Sequence, residues 1–352
     1  MTAPSTLAFS RVETDVLKGL AILGMFVHHL FALPGLIRPP AEYLPLLPGM
    51  PLEYMLGRYG KVVVAIFLMI SGYGLARAAL AGAPGGLRRV LARLLQFAGV
   101  FWFCFAVLVP IGALFFSDRL FEGTPRYALD PYRLVPNALM LRHDYNYEWW
   151  FTEAYALVLL ASPVLLALAL ARRMVWAVPV SLGLFGLGAV MDMLRLDPEP
   201  LSLSAGLIWQ FPFVMGALIA RHGDRVALTA PRAAGAAVLL GAMTLVVEAM
   251  APFAMTPALI LSAPLSAVLW IWAARHMGRM TRPLAALGAL SLPLWLIHSF
   301  FAYYFLQTFI YAPRLSLLVM ANLLACSVAT AWGLEWLRRA MLRGVAVARR
   351  PA

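Results

Sequence analysis

The chain has 352 residues, of which 62% are hydrophobic and only 12% charged, with a mean hydropathy of +0.82. Soluble domains carry roughly a quarter of charged residues, so water is excluded as the main solvent of this one. The net charge of +12 does not point to nucleic acid, because the arginines fall in short runs between apolar stretches, the pattern that encodes membrane topology.

Residues 1–10 lack the basic start, apolar core and cleavage site of a signal peptide, and the first span is expected to act as an uncleaved anchor. Apolar segments long enough to cross a hydrocarbon core recur along the chain. They predict about ten transmembrane helices near residues 16–37, 60–82, 91–117, 150–171, 174–194, 201–221, 229–249, 253–274, 284–311 and 314–337. The expected fold is all-α and polytopic, a single membrane domain over 1–352 with no separate soluble domain.

With both termini on the cytoplasmic side, most of the 28 basic residues gather on inner segments, among them Arg77, Arg88, Arg89, Arg93, Arg173, Arg275, Arg349 and Arg350. Acidic residues such as Glu42, Glu53, Asp118, Asp144 and Glu148 then lie mostly outside, as the positive-inside rule requires. The expected location is the inner, cytoplasmic membrane. Two longer connections, near 38–59 and 118–149, are external on this orientation and suited to capping an outward cavity. Cys104 and Cys326 both lie in apolar segments, and with only two cysteines neither a disulfide framework nor a CxxC site is available.

The first span places Asp15, Lys18, His28 and His29 in an otherwise apolar helix, where ionisable residues are functional candidates. At 100° per residue Lys18 and His29 lie about 20° apart around the axis, Asp15 and His29 about 40°, and His28 about 80° from Lys18. The first three share a face, with His29 about 16 Å along the axis from Lys18 and near mid-membrane on the expected boundaries. The competing explanation is that Lys18 snorkels, Asp15 caps the helix and the histidines bond to neighbouring helices.

In the second span Gly60-Lys61 precedes Phe67-Leu-Met-Ile-Ser71-Gly72-Tyr73-Gly74, then Arg77 and the run Arg88, Arg89 and Arg93. Small residues here allow close helix approach, and arginines match phosphate geometry. Late in the chain Ser291 and His298, seven positions apart, lie about 20° apart on one face. Interhelical hydrogen bonding explains that pair equally well when taken alone. A metal site from His28, His29 and His298 is disfavoured, since adjacent histidines point apart on a helix and no carboxylate pair accompanies them.

Together these segments resemble the acyltransferase-3 family of membrane acyltransferases. Its first helix carries Arg, or sometimes Lys, followed eleven positions later by His, matched by Lys18 and His29, with Asp15 three residues before the basic position. Its Phe-Phe-x-Ile-Ser-Gly-Phe/Tyr segment is similar to Phe67–Tyr73, with Leu68 in place of the second Phe. A Trp-Phe/Tyr helix start with Pro thirteen residues on is matched by Trp150, Phe151 and Pro163. The late Ser-Tyr-x-Ile-Tyr-Leu-x-His segment resembles Ser291–His298, with Pro293 and Trp295 as variations, and Phe211–Gly216 looks like the sixth-helix segment. Lys18 replaces the commoner Arg, and Tyr155 stands where some branches carry Glu.

The resemblance implies transfer of an acyl group, most often acetyl, from acyl-coenzyme A to a hydroxyl of a surface glycan or lipid-linked saccharide, by a member without an extra esterase-like domain. From the arginine placement and the histidine geometry, no nucleic acid and no metal are expected. His29 is expected as general base or acyl carrier, Lys18 as a donor-positioning group bonded to Asp15, and Arg77, Arg88 and Arg89 as further charge for coenzyme A. Ser71 and Tyr73 are expected at the donor or substrate, and Trp150, Glu153, Ser291 and His298 on the acceptor side. A transporter or glycolipid exporter without chemistry is the alternative, since intramembrane His, Lys and Asp also serve proton relays.

Overall fold

A computed structural model describes residues 5–50, 52–83, 86–172 and 174–348, so Arg173, Arg349 and Arg350 of the inner segments lie outside the described residues. In chain order the helices are α1 (Arg11–Phe31), α2 (Leu52–Gly60), α3 (Val63–Leu80), α4 (Leu87–Phe115), α5 (Pro131–Ala138), α6 (Trp150–Ala169), α7 (Ala177–Met193) and α8 (Leu203–His222). They continue as α9 (Ala230–Met250), α10 (Met255–Leu261), α11 (Ala263–Arg275), α12 (Thr281–Ala289), α13 (Ser291–Ser299), α14 (Gln307–Tyr311) and α15 (Ser316–Ala348). The only strands among the described residues are the two-residue pair β1 (Leu120–Phe121) and β2 (Thr124–Pro125).

By length and composition seven helical segments can cross a membrane, and nine can if two bent pairs each count as one span. That is fewer than the ten expected. The difference is α7, an apolar helix of 17 residues, about 25 Å long, at the lower end of the length that a span needs.

Proline explains where expected spans break. The segment near 253–274 bends by 68° between α10 and α11, beside Pro264 in the first turn of α11. The segment near 284–311 bends by 70° between α12 and α13, where Pro293 has no N–H to give the carbonyl four residues back. α1 likewise stops at Phe31 rather than running to 37, because Pro34 disfavours helical geometry at Leu33.

Glycines set the closest packing. A Cβ on Gly72 would lie 2.0 Å from the Phe213 carbonyl oxygen, and one on Gly216 would lie 2.0 Å from that of Met69. α3 and α8 therefore meet backbone to backbone, the small-residue association typical of membrane helices. α1 opens with a capping box, Ser10 accepting from Glu13 N–H at 3.2 Å while the Glu13 carboxylate accepts from Ser10 N–H. Arg275 ties this start to α11 by pairing with Glu13 and donating to the Thr6 and Ala8 carbonyls.

The connection between α4 and α6 folds back over the bundle. Asn146 donates to Ser299 Oγ at 2.8 Å and Trp149 Nε1 to the Leu296 carbonyl at 2.9 Å, anchoring its end to α13. The Arg126 guanidinium lies 5.0 Å from the Phe121 ring centre and 4.6 Å from that of Tyr304. Burial, with the Asp130 and Asp144 carboxylates nearby, pushes the Tyr145 hydroxyl up to about 12, so it stays neutral and donates to the Ala128 carbonyl at 2.6 Å.

Candidate active site

His29 stands in the last turn of α1 and is 7% exposed. The earlier helix end moves it from the expected mid-span position, and its burial comes from what lies over that turn. The Tyr303 hydroxyl is 3.0 Å from Nδ1, the Glu148 carboxylate is 3.5 Å from Nε2, and the His298 ring centre is 4.6 Å away. His28, on the neighbouring face, contacts the Gly57 carbonyl through Nδ1 at 2.8 Å. Gly57 and Gly60 permit this, because α2 passes so close to α1 that a Cβ on Gly60 would lie 2.6 Å from the Gly24 carbonyl oxygen.

Both histidines line a cavity of about 350 Å³ between α1, α2, α3, α4, α6 and α13. Lys18 lies toward the start of α1, and Arg58, Lys61, Tyr147 and Glu148 join the histidines near its end. Along its sides are Phe67, Phe97, Trp150, Phe151, Tyr155 and Trp295. The result is an apolar, aromatic passage with charged groups at both levels, suited to a slender apolar arm that carries polar ends.

Of the residues expected from sequence, Lys18, His29, Ser71, Trp150 and Ser291 come together on this wall. Asp15 lies behind Lys18, its carboxylate 3.2 Å from Nζ. The buried His298 ring packs between His29 and Phe26, with Nδ1 2.8 Å from the Trp295 carbonyl. Tyr73 donates to the Phe9 carbonyl at 2.8 Å and accepts from Phe9 N–H at 3.0 Å, which pins the segment before α1. Arg77 is 3.8 Å from Asp224, and Arg88 and Arg89 occupy the first turn of α4, all three off the cavity wall. Glu153 also lies off the wall and accepts the Ser202 N–H at the start of α8.

Sequence reasoning did not select Glu148, Tyr303, Arg58, Lys61 or His28 for this wall and its surroundings. Glu148 reads as an outer-loop acid, and only its place two residues before Trp150 ties it to a motif. Tyr303 hides in the aromatic run Phe300–Tyr304, which winds as a π-helical turn closed by the Phe305 N–H to Phe300 carbonyl bond at 2.6 Å. Such turns are frequent at functional sites, but no residue type announces one. His28 and His29 pack edge to face at 4.9 Å, and among the described residues no group of three His, Cys, Asp or Glu side chains is arranged to hold a metal ion.

A family model described as an acyltransferase domain matches residues 11–336. No curated protein and no solved structure matches the chain.

Proposed function

Because the chain belongs to the acyltransferase-3 family and is thereby a multi-pass membrane acyltransferase, we propose that it moves an acyl group, most often acetyl, from acyl-coenzyme A to a hydroxyl of a surface glycan or lipid-linked saccharide. The observation that carries this reading is the position of His29, a buried imidazole on the wall of a passage that also reaches Lys18.

In this reading His29 is the general base. The acceptor oxygen attacks the thioester carbonyl carbon as its proton passes to the imidazole, a new C–O bond forms, and the C–S bond breaks. The proton then returns to the departing sulfur, so coenzyme A leaves as the thiol and His29 is regenerated. A neutral imidazole has a ring-nitrogen lone pair that can take a proton and return it.

The Lys18 level serves the donor. With the α1 start on the cytoplasmic side, Lys18, held by Asp15, and Arg77, Arg88 and Arg89 outside the cavity meet the phosphates of coenzyme A. The acyl-bearing arm runs toward His29, about 16 Å along the helix from Lys18. Ser71 and Ser291, on the cavity wall, belong to the path of the arm and acceptor, and Tyr73 supports that path from outside by holding the segment before α1. Trp150 on the cavity wall shapes the acceptor side, where an aromatic face suits a sugar ring, and Glu153 and His298 support it from off the wall. The setting is the inner membrane, with both termini cytoplasmic.

The test uses purified protein, acetyl-coenzyme A and glycolipid extracted from the producing cells. His29→Ala is expected to abolish release of the free thiol while folded yield is unchanged, and undiminished turnover in that variant would sink the mechanism. Mass spectrometry of glycans and glycolipids from cells with and without the gene identifies both the group added and its acceptor.

A further inference from the structure

Tyr303 reaches His29 twice. Its hydroxyl is 2.6 Å from the His29 carbonyl oxygen and 3.0 Å from His29 Nδ1. A phenol has one hydrogen, and a carbonyl oxygen can only accept, so the shorter contact uses that hydrogen. Toward Nδ1 the Tyr303 oxygen is left as acceptor, and Nδ1 must donate. A neutral imidazole that carries its hydrogen on Nδ1 keeps its lone pair on Nε2. That nitrogen is the one 3.5 Å from the Glu148 carboxylate, and His29 and Glu148 both line the cavity.

We propose that Tyr303 and Glu148 are positioning residues for His29, Tyr303 holding the hydrogen on Nδ1 so that Nε2 acts as the base, and Glu148 meeting Nε2 once it has taken the acceptor's proton. The inference rests on the reading of His29 as general base and extends it to two side chains outside the sequence motifs. The acceptor's proton passes to Nε2 as the C–O bond forms and leaves from Nε2 to the sulfur as the C–S bond breaks. Between these steps the imidazolium has the Tyr303 oxygen against Nδ1–H and the Glu148 carboxylate against Nε2–H. Neither group changes covalently.

The fold holds both partners through one element. The π-helical turn Phe300–Tyr304 carries Tyr303 to His29 and Tyr304 to the Tyr147 N–H at 3.2 Å, so the same turn grips the segment bearing Glu148. Ser299, just before the turn, bonds Asn146, whose side-chain oxygen accepts the Glu148 N–H at 3.1 Å. A tyrosine kept only for packing would need neither of its two contacts with His29.

The deciding measurement is ¹⁵N NMR of the full chain in lipid nanodiscs with ¹⁵N-labelled histidine, the His29 signals being assigned by their loss in His29→Ala. Nδ1 is expected protonated and Nε2 unprotonated, and the reverse tautomer overturns the proposal whether or not the Tyr303 and Glu148 variants fold. In the glycolipid assay Tyr303→Phe is expected to lower kcat about 10- to 100-fold, with KM for acetyl-coenzyme A within about twofold and a mixed-tautomer spectrum, the scale of losing an orienting partner. Glu148→Gln is expected to lower kcat on a similar scale, with partial recovery in Glu148→Asp. Wild-type kcat in Tyr303→Phe overturns the proposal while leaving His29 as the base, whereas wild-type turnover in His29→Ala removes the base itself.

Discussion

Lys18 and His29 are joined by the cavity rather than by contact. Among the described residues Lys18 has a single salt bridge, to Asp15, and both side chains are about one third exposed. Its remaining N–H groups are therefore free for an anionic donor, and a hydrogen bond to a charged group contributes about 1.5–3 kcal/mol. Lys18→Met is accordingly expected to raise KM for acetyl-coenzyme A roughly 10- to 100-fold while kcat holds within about threefold. Lys18→Arg, the residue commoner in the family, is expected to keep near-normal KM. Steady-state kinetics over donor concentration checks both, and an unchanged KM in Lys18→Met would remove this residue from the donor path. The stripe of Asp15, Lys18 and His29 was legible in the sequence because all three lie on one continuous helix, where spacing fixes direction. Glu148 and Tyr303 were not legible, since they meet His29 from segments 119 and 274 positions away.

Among the elements, α3 and α8 show how tightly the bundle is specified. Gly72 and Gly216 face each other's helices at a distance that leaves no space for a methyl group, and the atoms a Cβ would meet are backbone atoms that cannot turn aside. Overpacking in a rigid contact costs typically 1–3 kcal/mol. Gly72→Ala is thus expected to lower the melting temperature of the detergent-solubilised protein by several degrees. Gly74→Ala, two residues on, meets nothing within 4 Å and is expected to leave it unchanged. Equal melting temperatures would show that the two helices can separate at no cost. The glycines were visible as a cluster, but nothing in Phe67–Gly74 says that Gly72 touches Phe213. Proline is a partial guide, since Pro34, Pro264 and Pro293 stand where helices end or bend, while Pro110, Pro163 and Pro212 are accommodated inside α4, α6 and α8.

For the molecule as a whole, hydropathy and charge make a topology that labelling can test. Single cysteines introduced at exposed Leu129, in the connection after α4, and at exposed Leu80, at the end of α3, are expected to react with a membrane-impermeant thiol reagent from opposite sides of the membrane. Leu129→Cys should label in intact cells of the outer-face-accessible type, and Leu80→Cys only after permeabilisation. Labelling of both from outside would overturn the orientation drawn from the arginines.

The amino-acid sequence by itself determined that this is a helical membrane protein, where its apolar segments lie and which helix bears the ionisable stripe. These follow from composition and from a fixed helical repeat, which are local properties. The tertiary structure decided that α7 is shorter than the other spans, that two expected spans are bent, and that His29 lies at a helix end beside Tyr303, Glu148 and His298. It also decided that Glu148 faces Nε2 and that a π-helical turn delivers Tyr303 to Nδ1. Those outcomes depend on which distant segments share a volume, and the packing of side chains between helices sets that.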